Sequence, residues 1–361
     1  MTFADYLSSR RAYLAQYLQK FISREERLAG DELSDIALER LADFSTKGKM
    51  LRGTFVMLGY EMFTEIDNST PEKNEYTHED VLRVAVAMEL SQAAILIHDD
   101  IMDNDRTRRG DKTIFAHYAE DAAYHNISIP DEYGKSMAMI VGDAGLFLTY
   151  ELIGSIDVDP AIRSRIMNRY SKEMLKTCLG QFLDYHYGKT TQERSLDEIK
   201  RMYHLKTRSY TFTLPLMMGA YLAGKTDDEL SVLEEISTYL GEIFQIKDDE
   251  LGLFGDATKT GKAVGSDIAE DKKTLFRAEL FNNATPEEKS QLQNIFGKLL
   301  SEENVKYVQE LLESYGIRKN LQEKVHINSE KAHELLAKLS ISDEARNLFR
   351  ELVDYNGSRG A

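Results

Sequence analysis

The chain has a single cysteine, Cys178, among its 361 residues. No internal disulfide is possible, and a reducing compartment is expected. Proline is scarce, with 5 in all, and strand-like alternation bounded by turns is hard to find. The N-terminus lacks a basic region followed by an apolar core, so no signal peptide is expected. No uncharged apolar run is long enough to span a bilayer. Together these absences predict a soluble, cytoplasmic protein. Positive charge is also in deficit, with 45 Lys and Arg against 61 Asp and Glu, a net charge of −16 and a pI near 5.1. Such a chain is a poor binder of nucleic acid or anionic membranes. The deficit makes each cluster of cations informative, because an anionic ligand must be drawn in against the overall field.

Helical periodicity is what the chain has in quantity. It runs through 6–28, 33–44, 81–97, 138–153, 199–205, 230–246 and 305–312. The pattern predicts an all-α fold. No compositional shift marks a linker and no repeat or low-complexity tract is visible, so one domain over 1–361 is expected. Polar connections are expected over 64–80 and 120–134. Cys178 lies in an apolar helical context that reads as core. Asp143, within Val141-Gly142-Asp143-Ala144-Gly145, reads as a buried carboxylate with a structural role. The C-terminal third, from about Thr285, reads as amphipathic helices without chemistry.

Chemistry is concentrated in Ile97-His98-Asp99-Asp100-Ile101-Met102-Asp103, followed closely by Arg106, Arg108, Arg109 and Gly110. Asp99 and Asp103, at i and i+4, share a helix face. Like charges that close repel unless a cation sits between them. The pattern points to a hard divalent cation carrying a phosphate-like ligand, whose remaining oxygens the guanidiniums grip. The alternative is a solvated helix end with local ion pairs. Asp248-Asp249 ends a second apolar helix in the same way. Two such clusters can face each other across a bundle core.

Further cations stand at isolated places. Lys49 and Arg52, between Gly48 and Gly53, fit either a helix start or a phosphate clamp. Lys206 sits in an otherwise apolar segment, where a lysine most often snorkels to the surface. Gln181 and Asp184 could line one side of a cavity. Lys262, in the glycine-flanked Thr260-Gly261-Lys262-Ala263-Val264-Gly265, fits a mobile phosphate cap.

Asp99-Asp100-Ile-Met-Asp103 with Arg108-Arg109-Gly110, together with Gln245-Ile-Lys-Asp248-Asp249, resembles the trans-type isoprenyl (polyprenyl) diphosphate synthases, most of all the geranylgeranyl diphosphate synthases. The blocks follow family order from Gly48 to Thr274. The resemblance implies an all-α fold around a deep cavity, a homodimer, and three magnesium ions. It implies substrates that are isopentenyl diphosphate and an allylic prenyl diphosphate. Asp99 and Asp103 would ligate two ions, with Asp100 in support. Asp248 would ligate the third, with Asp249 and Asp267 outside it. Arg108, Lys206 and Lys262 would grip the allylic diphosphate. Lys49, Arg52, Gln92 and Arg109 would hold the other diphosphate, and Lys272 would help close the site. Thr207, Tyr210, Phe244 and Gln245 would line the reacting carbons.

Two positions depart from the family pattern. Gly252 stands where a third aspartate is common, leaving the third ion to Asp248 with water or to Asp256. Gln92 stands where many relatives carry histidine, and glutamine still offers a donor. Product length is expected to follow Ser91, Ala94 and Ile95, on the helix before Asp99. No aromatic ring stands there, so a four-unit product, geranylgeranyl diphosphate, is expected ahead of a farnesyl or a longer one. A class I terpene cyclase would leave Lys49, Arg52 and Arg109 without a task. A non-catalytic partner subunit would typically lose an aspartate motif.

Overall fold

Helix α4 (Glu79–Asp103) sets the first half of the molecule. Its residues from Val81 to Ala94 are buried nearly without interruption. A helix enclosed on all sides needs no polar face, and α4 shows none until its last turns. The structure is a computed structural model that describes residues 2–64, 78–255, 264–299 and 301–358. The chain divides into two compact units, Met1–Arg169 with Pro215–Thr226, and Tyr170–Leu214 with Asp227–Ala361.

In the first unit α1 (Phe3–Ala29), α2 (Glu32–Thr46) and α3 (Leu51–Glu61) pack on α4, as do α5 (Ile114–Tyr124) and α6 (Pro130–Gly154). Pro130 opens α6 at a position where a missing N–H costs nothing. Glycines set the closest approach. A Cβ at Gly59 would lie 2.2 Å from the Leu216 carbonyl oxygen, and one at Gly219 would lie 2.0 Å from that of Val56. Thus α3 and α9 (Leu214–Leu222) meet backbone to backbone. Asn104, in the left-handed region at φ 58°, ends α4. A short antiparallel hairpin follows, β1 (Thr107–Arg108) with β2 (Asp111–Lys112), the one strand pair among the described residues.

The second unit is built on α10 (Ser231–Phe254). Around it lie α8 (Leu196–Tyr203), a ten-residue π-helix (His204–Thr213), α11 (Ser266–Ala269), α12 (Leu275–Asn283), α13 (Pro286–Ile295), α14 (Glu302–Ser314), α15 (Ile317–Leu336) and α16 (Asp343–Gly357). Capping boxes at Ser195/Glu198 and Thr285/Glu288 start α8 and α13. Ile243, Ile246, Leu253, Phe276, Leu280, Val308 and Leu312 form the core. α15 has a task at the end of α10. Arg318 and Gln322 bond the buried Glu250 carboxylate, which Lys247 also pairs. The C-terminal helices thereby brace the segment that carries Asp248 and Asp249.

Two expectations change, those for Asp143 and Cys178, and the two long apolar helices fit the expectation that no uncharged run spans a bilayer. Two helices, α4 and α6, are long and apolar enough to cross a membrane by length and composition. The apolar window of α4 is 72% buried and serves the core, whereas that of α6 is 39% buried. Asp143 is not buried. It lies on the outer side of α6 with its side chain 56% exposed, 3.5 Å from His98 Nε2. Cys178 is exposed on α7 (Pro160–Lys189), beside exposed Leu175 and Leu179. Both residues sit on helix faces with exposed apolar side chains, and such faces have the same periodicity as a core.

Candidate active site

In the first unit, the last turn of α4 presents Asp99 and Asp103, both half-buried. Asp100 points the other way and is 1% exposed. The Arg108 Nε donates to Asp100 Oδ1 at 2.5 Å. Its guanidinium is also 3.8 Å from Asp99 and from Asp105. Burial pushes the Asp100 carboxyl up to about 6, against the pull of Arg108. Asp100 Oδ2 is buried with no hydrogen-bond partner among the described residues. So Asp100 anchors Arg108 beside the Asp99–Asp103 face.

Arg109 is turned elsewhere. Arg109 and Gly110 have φ of 55° and 78°, the two positive values that a tight I′ hairpin turn needs. For a non-glycine residue this costs about 1 kcal/mol or more. The outcome is that neighbouring arginines serve two places. A Cβ on Gly48 would lie 2.8 Å from Arg109 Nη1, so the guanidinium lies against the backbone just before Lys49. Lys49 and Arg52 flank the start of α3, where the helix dipole favours an anion.

A residue that sequence reasoning missed stands beside this group. Glu89, 5% exposed, accepts the Gly53 N–H at 2.7 Å. Burial raises its pKa, while Gly53, Arg52 and Arg109 oppose the shift. Its only signal was a lone charge in the apolar run from Val84 to Ile97. Gln92 lies one turn on from Glu89, half-buried. Of the chain-length positions, Ile95 is half-buried on the Asp99 face. Ser91 and Ala94 are fully buried against α6. Ser91 Oγ lies 3.3 Å from Thr149 Oγ1, and Ala94 Cβ would be 3.4 Å from a Cβ on Gly145.

In the second unit, Asp248 is exposed and Asp249 is 4% exposed. Asp249 accepts from Gln245 Nε2 at 2.8 Å and from the Tyr203 hydroxyl. Tyr203, also missed from sequence, in turn accepts the Leu275 N–H at 3.1 Å. Burial, then the charge of Asp267, holds the Asp249 carboxyl well above the usual range. Phe244 packs edge-on to Phe212, with centroids 5.6 Å apart. Lys206 and Thr207 are half-buried and Tyr210 is buried on the π-helix, a geometry frequent at functional sites. Lys206 Nζ pairs with Asp184 at 2.5 Å, and Gly180 admits the Lys206 backbone. Lys272 pairs with Glu270 at 2.9 Å. Burial opposes its charge, but Asp267 and Glu270 outweigh burial and raise its pKa. Lys262 and Asp256 lie outside the described residues.

Gly252 has a structural explanation. A Cβ there would lie 2.4 Å from Asp267 Oδ2, and the Gly265 N–H bonds the Gly252 carbonyl at 2.9 Å. The Asp267 carboxylate thus occupies the space that a side chain at 252 would take.

Residues 37–314 match the polyprenyl synthetase family. The chain belongs to that family. Members are prenyltransferases, and this chain is one. It is 34% identical to a short chain isoprenyl diphosphate synthase of Methanocaldococcus jannaschii over 237 residues, 65% of this chain and 66% of that one, just under two thirds of the relative's length. It is 28% identical to a farnesyl pyrophosphate synthase of Candida albicans across 97% of this chain and 96% of the relative. Among solved structures, the geranylgeranyl pyrophosphate synthase of Corynebacterium glutamicum, complexed with isoprenyl diphosphate and magnesium, superposes with a TM-score of 0.89 at 26% identity, over 98% of this chain and 99% of that one.

Two outcomes test this polyprenyl synthetase site. An acid with a raised folded pKa holds its proton longer when folded, so its contribution is full below the unfolded value of about 3.9 and is lost as pH rises through about 6. Asp100→Asn, always neutral, should gain melting temperature relative to the parent as chelator-treated protein goes from about pH 4 to about pH 7; a constant difference would contradict the shift. Gly252→Asp restores the common family motif in sequence yet should lower stability by about 1–3 kcal/mol through overpacking. Adding Asp267→Gly should return most of that loss, and a fully stable Gly252→Asp single variant would refute the occupied-space account.

Proposed function

We propose that this chain condenses isopentenyl diphosphate with an allylic prenyl diphosphate, head to tail and with magnesium, to give a linear trans-prenyl diphosphate, chiefly geranylgeranyl diphosphate. The observation that carries the reading is the parting of Arg108 and Arg109. One guanidinium stands with the carboxylates of α4, and the other stands with Lys49, Arg52 and Glu89. Two cation groups suit two diphosphates, as a condensing enzyme needs and a cyclase does not.

The donor set fits magnesium. Among the described residues no three or more His, Cys, Asp or Glu side chains converge on one point. Magnesium is commonly held by one or two carboxylates, with substrate phosphates and water completing its shell. Asp99 and Asp103 would hold two ions and Asp248 the third, with Asp100, Asp249 and Asp267 behind them. When bound, the ions supply Lewis-acid stabilisation of the departing diphosphate. Arg108, Lys206 and Lys262 take up charge on the same leaving group. Lys49, Arg52, Gln92 and Arg109 hold isopentenyl diphosphate with its double bond toward the allylic carbon, and Glu89 keeps Arg52 and Arg109 in place. Lys272 helps close the site. The allylic C–O bond breaks and diphosphate leaves with the electron pair. The double bond attacks the allylic cation, and the new cation loses a proton to the departed diphosphate. Thr207, Tyr210, Phe244 and Gln245 line the reacting carbons, and ring faces and oxygen dipoles stabilise cationic carbon.

Product length is read first from Ile95, which is half-buried on the Asp99 face and carries no ring, whereas Ser91 and Ala94, expected beside it, are packed against α6 and act only through how closely that helix approaches. The match over 37–314 spans residues of both units and supports one functional domain over 1–361. Exposed apolar side chains on α6 (Met139, Phe147, Tyr150) and on α7 (Leu175, Leu179, Phe182) are of the kind that mark interaction surfaces and support a homodimer. The acidic charge and single cysteine support a cytoplasmic setting. The non-catalytic-partner reading loses its one observation, because Asp267 fills the place beside Gly252.

Purified protein given isopentenyl diphosphate, each allylic primer in turn, and magnesium should yield a linear four-unit product that a chelator abolishes. A farnesyl main product would contradict the length assignment. A cyclic hydrocarbon, or no turnover with any primer, would overturn the synthase reading.

A further inference from the structure

A cavity of about 360 Å³ lies in the first unit on the outer side of Arg109. The end of α2 supplies Arg40, Asp43 and Lys47; the hairpin supplies Arg108, Arg109, Asp111 and Lys112; and α5 supplies His117. Five permanent cations therefore line it against two carboxylates, in a chain whose net charge is −16. Neither Lys49 nor Arg52 reaches it, so it is a separate space that shares Arg109 with the inner cation group.

The cations are held from outside rather than neutralised from within. Lys112 pairs with Glu120, and Arg40 pairs with Asp121 at 2.7 Å. Neither acid lines the cavity. Arg40 also lies over the Tyr118 ring at 4.3 Å, and its Nη1 is buried without a hydrogen-bond partner among the described residues. Among the described residues, Lys47 is the lining cation paired inside, with Asp111 at 2.5 Å. The field reaches His117, whose pKa is lowered by burial first and then by Arg40, with Lys112 and Lys47 adding to the effect. A concave wall with an excess of one sign concentrates ions of the other.

We propose that this cavity is an outer site for a small phosphate-class anion, which exchanges there with the inner group through Arg109. The volume accepts a diphosphate, and the fork of Arg109 can bond oxygens on either side of the hairpin. This extends the proposed reading of Arg109 as a diphosphate ligand. Two sources share the chemistry, isopentenyl diphosphate on its way in and pyrophosphate on its way out.

The test uses full-length protein, Lys47→Gln/Lys112→Gln, and Arg40→Gln as an independent second variant. All of these positions lie outside the catalytic set. Calorimetry with inorganic pyrophosphate, free of metal, reads binding without turnover, so its failure is distinct from failure of the synthase reading. The parent should show two classes of site, and both variants should weaken one class by about fivefold or more while sparing the other. If pyrophosphate uses the cavity, its product-inhibition constant rises and the KM for isopentenyl diphosphate holds. If isopentenyl diphosphate uses it, that KM rises at constant kcat. Unchanged pyrophosphate affinity, or lost affinity with both constants unchanged, overturns the proposal.

Discussion

Like-charge repulsion among carboxylates placed at the ends of apolar helices governs this chain. Asp99 with Asp103, and Asp249 with Asp267, stand where water is partly or wholly excluded, with Asp248 exposed beside the second group. Buried carboxylates resist ionisation unless a cation or a donor stands by. The chain meets that demand locally where position must be fixed. Arg108 meets it for Asp100, and Tyr203 and Gln245 meet it for Asp249. Asp99, Asp103 and Asp248 are the carboxylates to which the proposed function gives the metal ions.

Backbone irregularity does much of the positioning. The left-handed Arg109–Gly110 turn helps send adjacent guanidiniums to different partners. The π-helix carries Lys206, Thr207 and Tyr210, and Gly180 lets it come close to α7 within the second unit. At Gly252 the missing side chain makes room for Asp267. Strain and missing side chains of this kind are expected where geometry serves function rather than stability.

How much could be read in the sequence follows from the range of each interaction. Asp99 and Asp103 were legible because helix periodicity alone puts i and i+4 together. The all-α class was legible because apolar periods of 3.6 recur along the chain. Glu89 and Tyr203 were not, because their partners Gly53 and Asp249 are brought to them by tertiary packing, and Asp267 was named only through the family resemblance, without its place against Gly252. The resemblance alone assigned Arg108 and Arg109 to different diphosphates, and the two φ angles of the turn that parts them could not be read in the sequence. Cys178 and Asp143 were misread as interior for another reason. An apolar helix face left uncovered has the same pattern as one facing a core, and only the fold tells them apart.

The central claim is that the two aspartate clusters act on a single leaving diphosphate. Calorimetric titration of magnesium together with an unreactive thio-analogue of an allylic diphosphate tests it most directly. The account predicts tight, mutually dependent binding of metal and analogue in the parent chain. It predicts that Asp103→Asn and Asp248→Asn each weaken that binding by about tenfold or more. Binding to Asp248→Asn that matches the parent in affinity and metal stoichiometry would contradict it.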